Sequence, residues 1–352
     1  MSFLGGGLRP PSDASCYESR PVSDVRAGAR AVRILLGIAL SAALLYLVFR
    51  NVSLAQLLSH LGRTRWQWLA LSAALNLAMV GARGVRWGLF FYPAAPASWP
   101  LVSATAIGFM GNNLLPLRAG ELLRAYLAAR STGLSFWTAL ATLAVERVLD
   151  ALSILLILGG VVVVVKVPLW LKTGALTLLA LDLLAMGMLI LLARRWAPLD
   201  RLIARIPRLG ASVRRWLALF AVGLQSLRPG PHLGPLLAWT VLIWILNAGA
   251  VWAALRSVGL ALPASASLTV LAFTGIAVSL PSAPGYVGTV QFFIVQALAI
   301  YAVTGAEAVS FSLLFHAAGF FPMTLLGWAF LLAQGVSLRK ATEAAQSQAR
   351  SS

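Results

Sequence analysis

Charge is what this sequence is short of. Only 11% of its 352 residues are charged, against roughly 25% in a soluble globular domain, so a water-facing surface for a chain of this length is excluded. Cysteine is nearly absent as well. The single Cys16 excludes an internal disulfide, and with His60, His232 and His316 far apart there is no Cys/His metal spacing. The three histidines read as loop or packing residues. The first thirty residues lack the apolar core and cleavage signal of a secretory peptide, and their Gly, Pro, Ser and Arg content reads as a disordered tail over 1–30. Gly5-Gly6-Gly7 is not followed by Lys-Ser/Thr, so it is no nucleotide loop. Without a nucleophile–base pair either, no cofactor and no enzymatic chemistry are expected.

What is there is hydrophobicity, at 60% of residues and a mean hydropathy of +0.86. Apolar runs fall at 33–49, 66–83, 99–117, 135–165, 173–193, 236–255, 266–280, 286–303 and 308–333. A bilayer-crossing helix needs about 20 such residues. The fold class is therefore an all-α polytopic membrane protein. The net charge of +18 does not point to nucleic acid, because the arginines lie between apolar runs. That is where cytoplasmic loops collect them.

Loop charge orients the chain. The segment 194–235 holds Arg194, Arg195, Arg201, Arg205, Arg208, Arg214, Arg215 and Arg228 against Asp200 alone, and is expected in the cytoplasm. Both tails carry basic residues too, so both termini are expected there. Arg50, Arg63 and Arg65 run mildly against the rule. With these loops fixed, the first two spans return the chain to the cytoplasm near Arg83 and Arg86. Segment 99–134 must then enter and leave from the cytoplasmic side, and 266–303 from the outside. The expectation is about six full spans plus two broken or re-entrant hairpins, countable as eight transmembrane helices. They lie in a domain over 31–335 with halves 66–193 and 236–333, followed by a tail over 336–352. Inverted repeats of this kind carry sites where broken helices meet. Leu115-Pro116-x-x-x-Gly120 recurs as Leu280-Pro281-x-x-x-Gly285. Within 196–220, Trp196, Leu199, Leu202, Ile203 and Ile206 keep helical spacing beside Arg201 and Arg205. This stretch reads as an anionic-surface contact or an ordinary basic loop.

Three polar constellations stand out. In the first, Pro116 and Gly120 break a helix among Asn112, Asn113, Arg118, Glu121 and Arg124. Arginines beside a helix start suit a phosphate; the alternative is an interfacial turn with both arginines reaching headgroups. The second is Glu146-Arg147-x-x-Asp150 inside an apolar run. Each unpaired charge there costs roughly 3 kcal/mol at mid-bilayer. Glu146 and Asp150 read as proton carriers or counter-charges, or as parts of an interhelical salt bridge, and Arg147 reads as a partner of Glu121 or of a lipid phosphate. The third is Ser279 to Thr289, where Pro281, Pro284, Gly285 and Gly288 interrupt the chain beside Ser282 and Tyr286. The helix that resumes would offer amides to an anion; the alternative is a kinked packing element.

Together, Asn112-Asn113-Leu114-Leu115-Pro116-x-Arg118-Ala119-Gly120-Glu121, Glu146-Arg147-x-x-Asp150 and Pro281-Ser282-x-Pro284-Gly285-Tyr286-x-Gly288 resemble the lysylphosphatidylglycerol synthase transmembrane, flippase-like family. The resemblance covers residues 30–335 and implies lipid translocation. Family members join this region to a soluble aminoacyltransferase domain; the residues after the last run here are too few for one, so synthase activity is not expected. Some relatives are linked to polyprenyl-phosphate sugars. The expected function is thus a flippase or transporter for an anionic or phosphate-bearing (glyco)lipid in the cell membrane, with an oligomer or pathway proteins as possible partners. The rival readings are a non-transporting subunit of a lipid or envelope-glycan pathway, and a lipid-modifying transferase.

Overall fold

The computed structural model describes residues 22–50, 52–93, 96–165, 169–194, 230–280, 282–335 and 337–350. Among these every regular element is helical. In order they are α1 (Val22–Phe49), α2 (Leu54–Gly62), α3 (Trp66–Leu89), α4 (Ser98–Leu114), α5 (Ala119–Thr132), α6 (Phe136–Val164), α7 (Leu169–Arg194), α8 (Leu233–Ser257), α9 (Ala264–Ser279), α10 (Thr289–Ala299), α11 (Gly305–Ala333) and α12 (Leu338–Arg350). Short 3-10 turns at Pro116–Arg118 and Pro284–Tyr286 join α4 to α5 and precede α10.

The chain is a multi-pass membrane protein. Among the described residues, α3, α6, α8 and α11 are each long and apolar enough to cross a bilayer, and α1 with α2, bent by 85°, makes a fifth candidate. Helix α1 starts at Val22, inside the segment expected to be disordered. Segment 196–220, with its expected amphipathic pattern, lies outside the described residues. The last residues are not a bare tail: α12 packs on α5 and buries Ala341 and Ala345.

Helices α3 and α8 form the central antiparallel pair. At one end the Arg65 N–H donates to the Ser257 carbonyl at 2.8 Å. At the other, the Tyr92 ring stacks on His232 at 4.2 Å. Because α4 follows α3 and α9 follows α8, the two broken hairpins enter from opposite ends. Their arms have 17, 14, 16 and 11 residues, each shorter than the ~20 residues of a full span.

The breaks share one construction. A residue before proline is pushed out of the helical region. Leu115 is extended (φ −103°, ψ 143°) before Pro116, and Ala283 (φ −59°, ψ 158°) before Pro284. Each proline opens a 3-10 turn, where the N–H it lacks would have had no partner within the turn. Each turn ends on a residue of positive φ, Arg118 at 55° and Tyr286 at 59°. The geometry thus equates Pro116 with Pro284, not with Pro281 as the motif echo does. Pro281 itself lies outside the described residues. The helices α6 and α11, which follow the hairpins, are both 29 residues long. Glycine makes the first hairpin tight: a Cβ on Gly120 would collide with the Gly108 carbonyl and lie 2.6 Å from Asn112 Oδ1.

Candidate functional site

The first element of the site is an ion cluster tying α3, α5 and α6 together. Glu146 has no exposed surface and receives a two-pronged pair from Arg124, with both nitrogens at 3.0 Å. Arg147 also donates to it at 2.6 Å. One turn on, Asp150 takes Arg86 at 2.8 Å and Arg83 on its other oxygen. Arg147 lies 3.5 Å from Asp150 and 3.8 Å from Glu121. Four guanidinium groups therefore face three carboxylates, Glu121, Glu146 and Asp150, leaving one positive charge over. Pairing of this kind offsets the cost of burying charge, which for an unpaired ion amounts to several kcal/mol.

Burial divides the four arginines. Arg86 is fully buried, with a second bond to Thr240 at 3.3 Å. Arg124 is 3% exposed, and its guanidinium sits 4.1 Å above the Trp87 ring, whose indole N–H donates to Thr142. The Arg147 side chain is 40% exposed. It is the most exposed of the four, with Arg83 next at 9% of its side chain.

Arg147 lines a partly open cavity of about 270 Å³ to which both halves contribute. From the first half come Asn76, Arg83, Phe109, Asn113, Arg147, Asp150 and Ile154. From the second come Trp244, Asn247, Thr274, Tyr286, Phe315, His316 and Phe320, among others. Arg147 and His316 hold matching places, each eleven residues in from the first residue of its 29-residue helix. They are related positions of the two halves facing one cavity.

The two breaks meet beside it. The Arg118 guanidinium lies over the Tyr286 ring at 6.0 Å, and these are the two positive-φ residues that end the paired turns. A Cβ on Gly285 would lie 3.3 Å from the Asn113 carbonyl. Asn113 donates to Thr324 Oγ1 at 2.9 Å and to the Phe320 carbonyl at 3.3 Å, fastening the first break to α11. The second break is held by α1. Ala283 N–H donates to Ser41 Oγ at 2.9 Å, the Ser282 carbonyl lies against Gly37, and Gly288 (φ 94°) lies so close to the Ser41 carbonyl that only glycine fits.

Set against the sequence-derived site, the structure gathers Asn113, Arg147, Asp150 and Tyr286 at the cavity, with Arg118 stacked on the last. It draws others away. Arg124 and Glu146 pair within the ion cluster and do not line the cavity. Arg118 and Arg124 therefore do not form one cradle: Arg118 is left-handed and exposed, whereas Arg124 points into the ion cluster. Asn112 turns toward Glu121 at 3.5 Å. The amide of Gly288 is taken by the Gln291 side chain at 2.7 Å, so the first amide before α10 is not offered to an anion. Sequence reasoning missed Arg83 and Arg86, which count as loop charges if the span ends at 83; α3 continues to Leu89 and buries both. Helical spacing was the available signal, since Met79, Arg83, Arg86 and Trp87 follow one face. Asn76, Asn247 and His316 were missed too. His316 is no packing residue: it accepts from Gln291 at 2.7 Å and lines the cavity. Among the described residues no group of acidic, His and Cys side chains is placed to hold a metal.

Comparison with known proteins gives this arrangement a family. The model described as the lysylphosphatidylglycerol synthase TM region matches residues 34–327. A glycosyltransferase, AglD, of Haloferax volcanii is 29% identical over 136 residues, which is 38% of this chain and 22% of that protein. The match thus spans about a fifth of the length of that relative. With both hairpins and the whole ion cluster inside residues 34–327, the chain belongs to the family of the lysylphosphatidylglycerol synthase transmembrane region.

Proposed function

We propose that this protein moves an anionic, phosphate-bearing lipid or glycolipid between the leaflets of the cell membrane. One observation carries the reading: the surplus positive charge of a buried ion cluster reaches open space through Arg147, in a cavity built jointly by two inverted halves. A stable fold needs no such surplus, because a balanced cluster would serve as well. An anionic headgroup completes the balance, and a guanidinium binds phosphate through two parallel hydrogen bonds. Arg118, on its strained turn beside the cavity, supplies a second contact. Tyr286 and Asn113 add a hydroxyl and an amide, while Ser282 and Gly285 shape the second break. Glu121 and Asp150 hold Arg147 in place. In a low-dielectric site such preset charge acts without the cost of reorganising water.

The test is transfer of a labelled anionic lipid in proteoliposomes containing the full chain. Arg118→Ala with Arg147→Ala is expected to lower the rate at least tenfold, the effect of losing about 1.4 kcal/mol of headgroup stabilisation. Undiminished transfer by the double variant would sink the mechanism. The segment shared with a protein named a glycosyltransferase favours a second reading, a role within a glycan-lipid pathway without transport. Product analysis of the same assay separates the two, since transport returns the lipid chemically unchanged.

A further inference from the structure

The cavity wall opposite Arg147 carries a pattern of its own. Asn76 Nδ2 donates to the Ser72 carbonyl at 2.9 Å, and Asn247 Nδ2 donates to the Ile243 carbonyl at 2.9 Å. Thr274 Oγ1 donates to the Val270 carbonyl at 2.8 Å. Each side chain gives a donor to its own helix and keeps an oxygen that can accept, and all three residues line the same space. His316 is fixed in the neutral state by its neighbours. Gly288 N–H takes Gln291 Oε1 at 2.7 Å, so the amide NH2 of Gln291 faces the ring. Nδ1 of His316 must then accept at 2.7 Å, which leaves its proton on Nε2. This wall is uncharged and polar, with acceptors on Asn76, Asn247 and Thr274 and a donor in the Trp244 indole N–H.

Carboxylate is the group the cavity does not spare. Among the lining residues Asp150 is the acidic one, and both its oxygens are engaged, Oδ1 by Arg86 and Oδ2 by Arg83 and Arg147. An ammonium group entering this space would meet a net positive cluster and, among the lining residues, no carboxylate that is not already paired. Neutral acceptors alone do not offset its loss of water. A hydroxyl group loses far less water and matches an acceptor wall.

We infer that the site takes a phosphodiester lipid whose headgroup carries one negative charge and an uncharged, hydroxyl-bearing remainder, and that it rejects headgroups bearing an ammonium group. This rests on the cavity being the headgroup site proposed above. The phosphate sits on Arg147, and the hydroxyls face Asn76, Asn247 and Thr274. The cavity, about 270 Å³, lies just below the range of about 300–1,000 Å³ for whole-ligand pockets, which suits a headgroup whose chains stay outside.

The experiment places the full chain in phosphatidylcholine nanodiscs containing equal amounts of phosphatidylglycerol, lysyl-phosphatidylglycerol and a polyprenyl glycosyl phosphate. Native mass spectrometry counts the retained lipids. One or both hydroxyl-bearing anions are expected at least tenfold above the lysyl lipid, and the one retained tells a glycerol from a sugar headgroup. Arg147→Gln abolishes that preference and Arg147→Lys keeps most of it. Asn247→Asp, which puts a carboxylate on the neutral wall, raises lysyl-lipid retention at least fivefold. Equal retention of the lysyl lipid, still lowered by Arg147→Gln, overturns the inference and leaves the site standing. Retention of every lipid unchanged by Arg147→Gln overturns both.

Discussion

Arg124 and Arg147 contact the same carboxylate, and their exposure gives them opposite roles. Arg124 is enclosed between Glu146 and the Trp87 ring. Replacing it with Met leaves a buried Glu146 short of its two-pronged partner, and breaking a buried pair costs about 3–5 kcal/mol. Arg124→Met is therefore expected to lower the detergent-solubilised melting temperature by many degrees. Arg147→Gln removes a half-exposed group whose partners Glu146 and Asp150 keep other arginines, while its partner Glu121 is itself partly exposed. It is expected to leave the melting temperature within a few degrees while removing lipid transfer, so the two readouts separate support from binding. If Arg147→Gln unfolds the protein and Arg124→Met does not, the assignment is inverted. The sequence showed that charges at 146, 147 and 150 share a span and must find partners. It did not show which, because a helix face names the direction of a side chain and not the helix it meets. Arg83 and Arg86 were hidden for a related reason: near a span's end, a buried arginine and a loop arginine look alike until the helix is seen to continue.

At the scale of elements, the broken hairpins were legible because proline and glycine act locally. Pro116 and Pro284 set the backbone before and after themselves whatever packs around them. Their mutual placement was not legible. Arg118 meets Tyr286 only through packing of segments far apart in the chain, and the role of α1 as the clasp of the second break depends on the close approach at Gly37 and on the Ser41 hydroxyl and carbonyl, which no periodic pattern marks out. The pairing of Pro116 with Pro284 shows a limit of motif matching: three residues of a common motif recur by composition, whereas the turn recurs by geometry. The close approach within the first hairpin gives a direct test. Gly120→Ala drives a methyl group into the Gly108 carbonyl, and a shift of α5 away from α4 disturbs the Arg124–Glu146 pair that ties α5 to α6. Its yield of monodisperse protein is expected to fall several-fold by size-exclusion chromatography. Gly62→Ala and Gly234→Ala, where a Cβ meets nothing within 4 Å, are expected to match the parent. Equal yields for all three would mean that α4 and α5 are not packed this closely.

For the whole molecule, the inverted arrangement follows from loop charge and connectivity, and orientation in the membrane follows from charge alone. The Tyr92–His232 end adjoins the start of α8, which the arginine-rich segment 194–232 precedes in the chain. The Arg65–Ser257 end adjoins the short connections to α9 and α11. Positively charged segments are retained in the cytoplasm, so the first end is expected inside and the second outside, with Arg50, Arg63 and Arg65 as the minority charge on the outer face. The single cysteine makes this measurable with little engineering. Cys16 in the parent chain is expected to react with a membrane-impermeant maleimide only after the cells are opened. In a Cys16→Ser background, Thr304→Cys, at an exposed position before α11, is expected to react in intact cells. The reverse pattern would invert the protein. Arg147 would then serve a headgroup entering from the opposite leaflet, and the cavity, placed where both halves contribute, would serve that direction through the same residues.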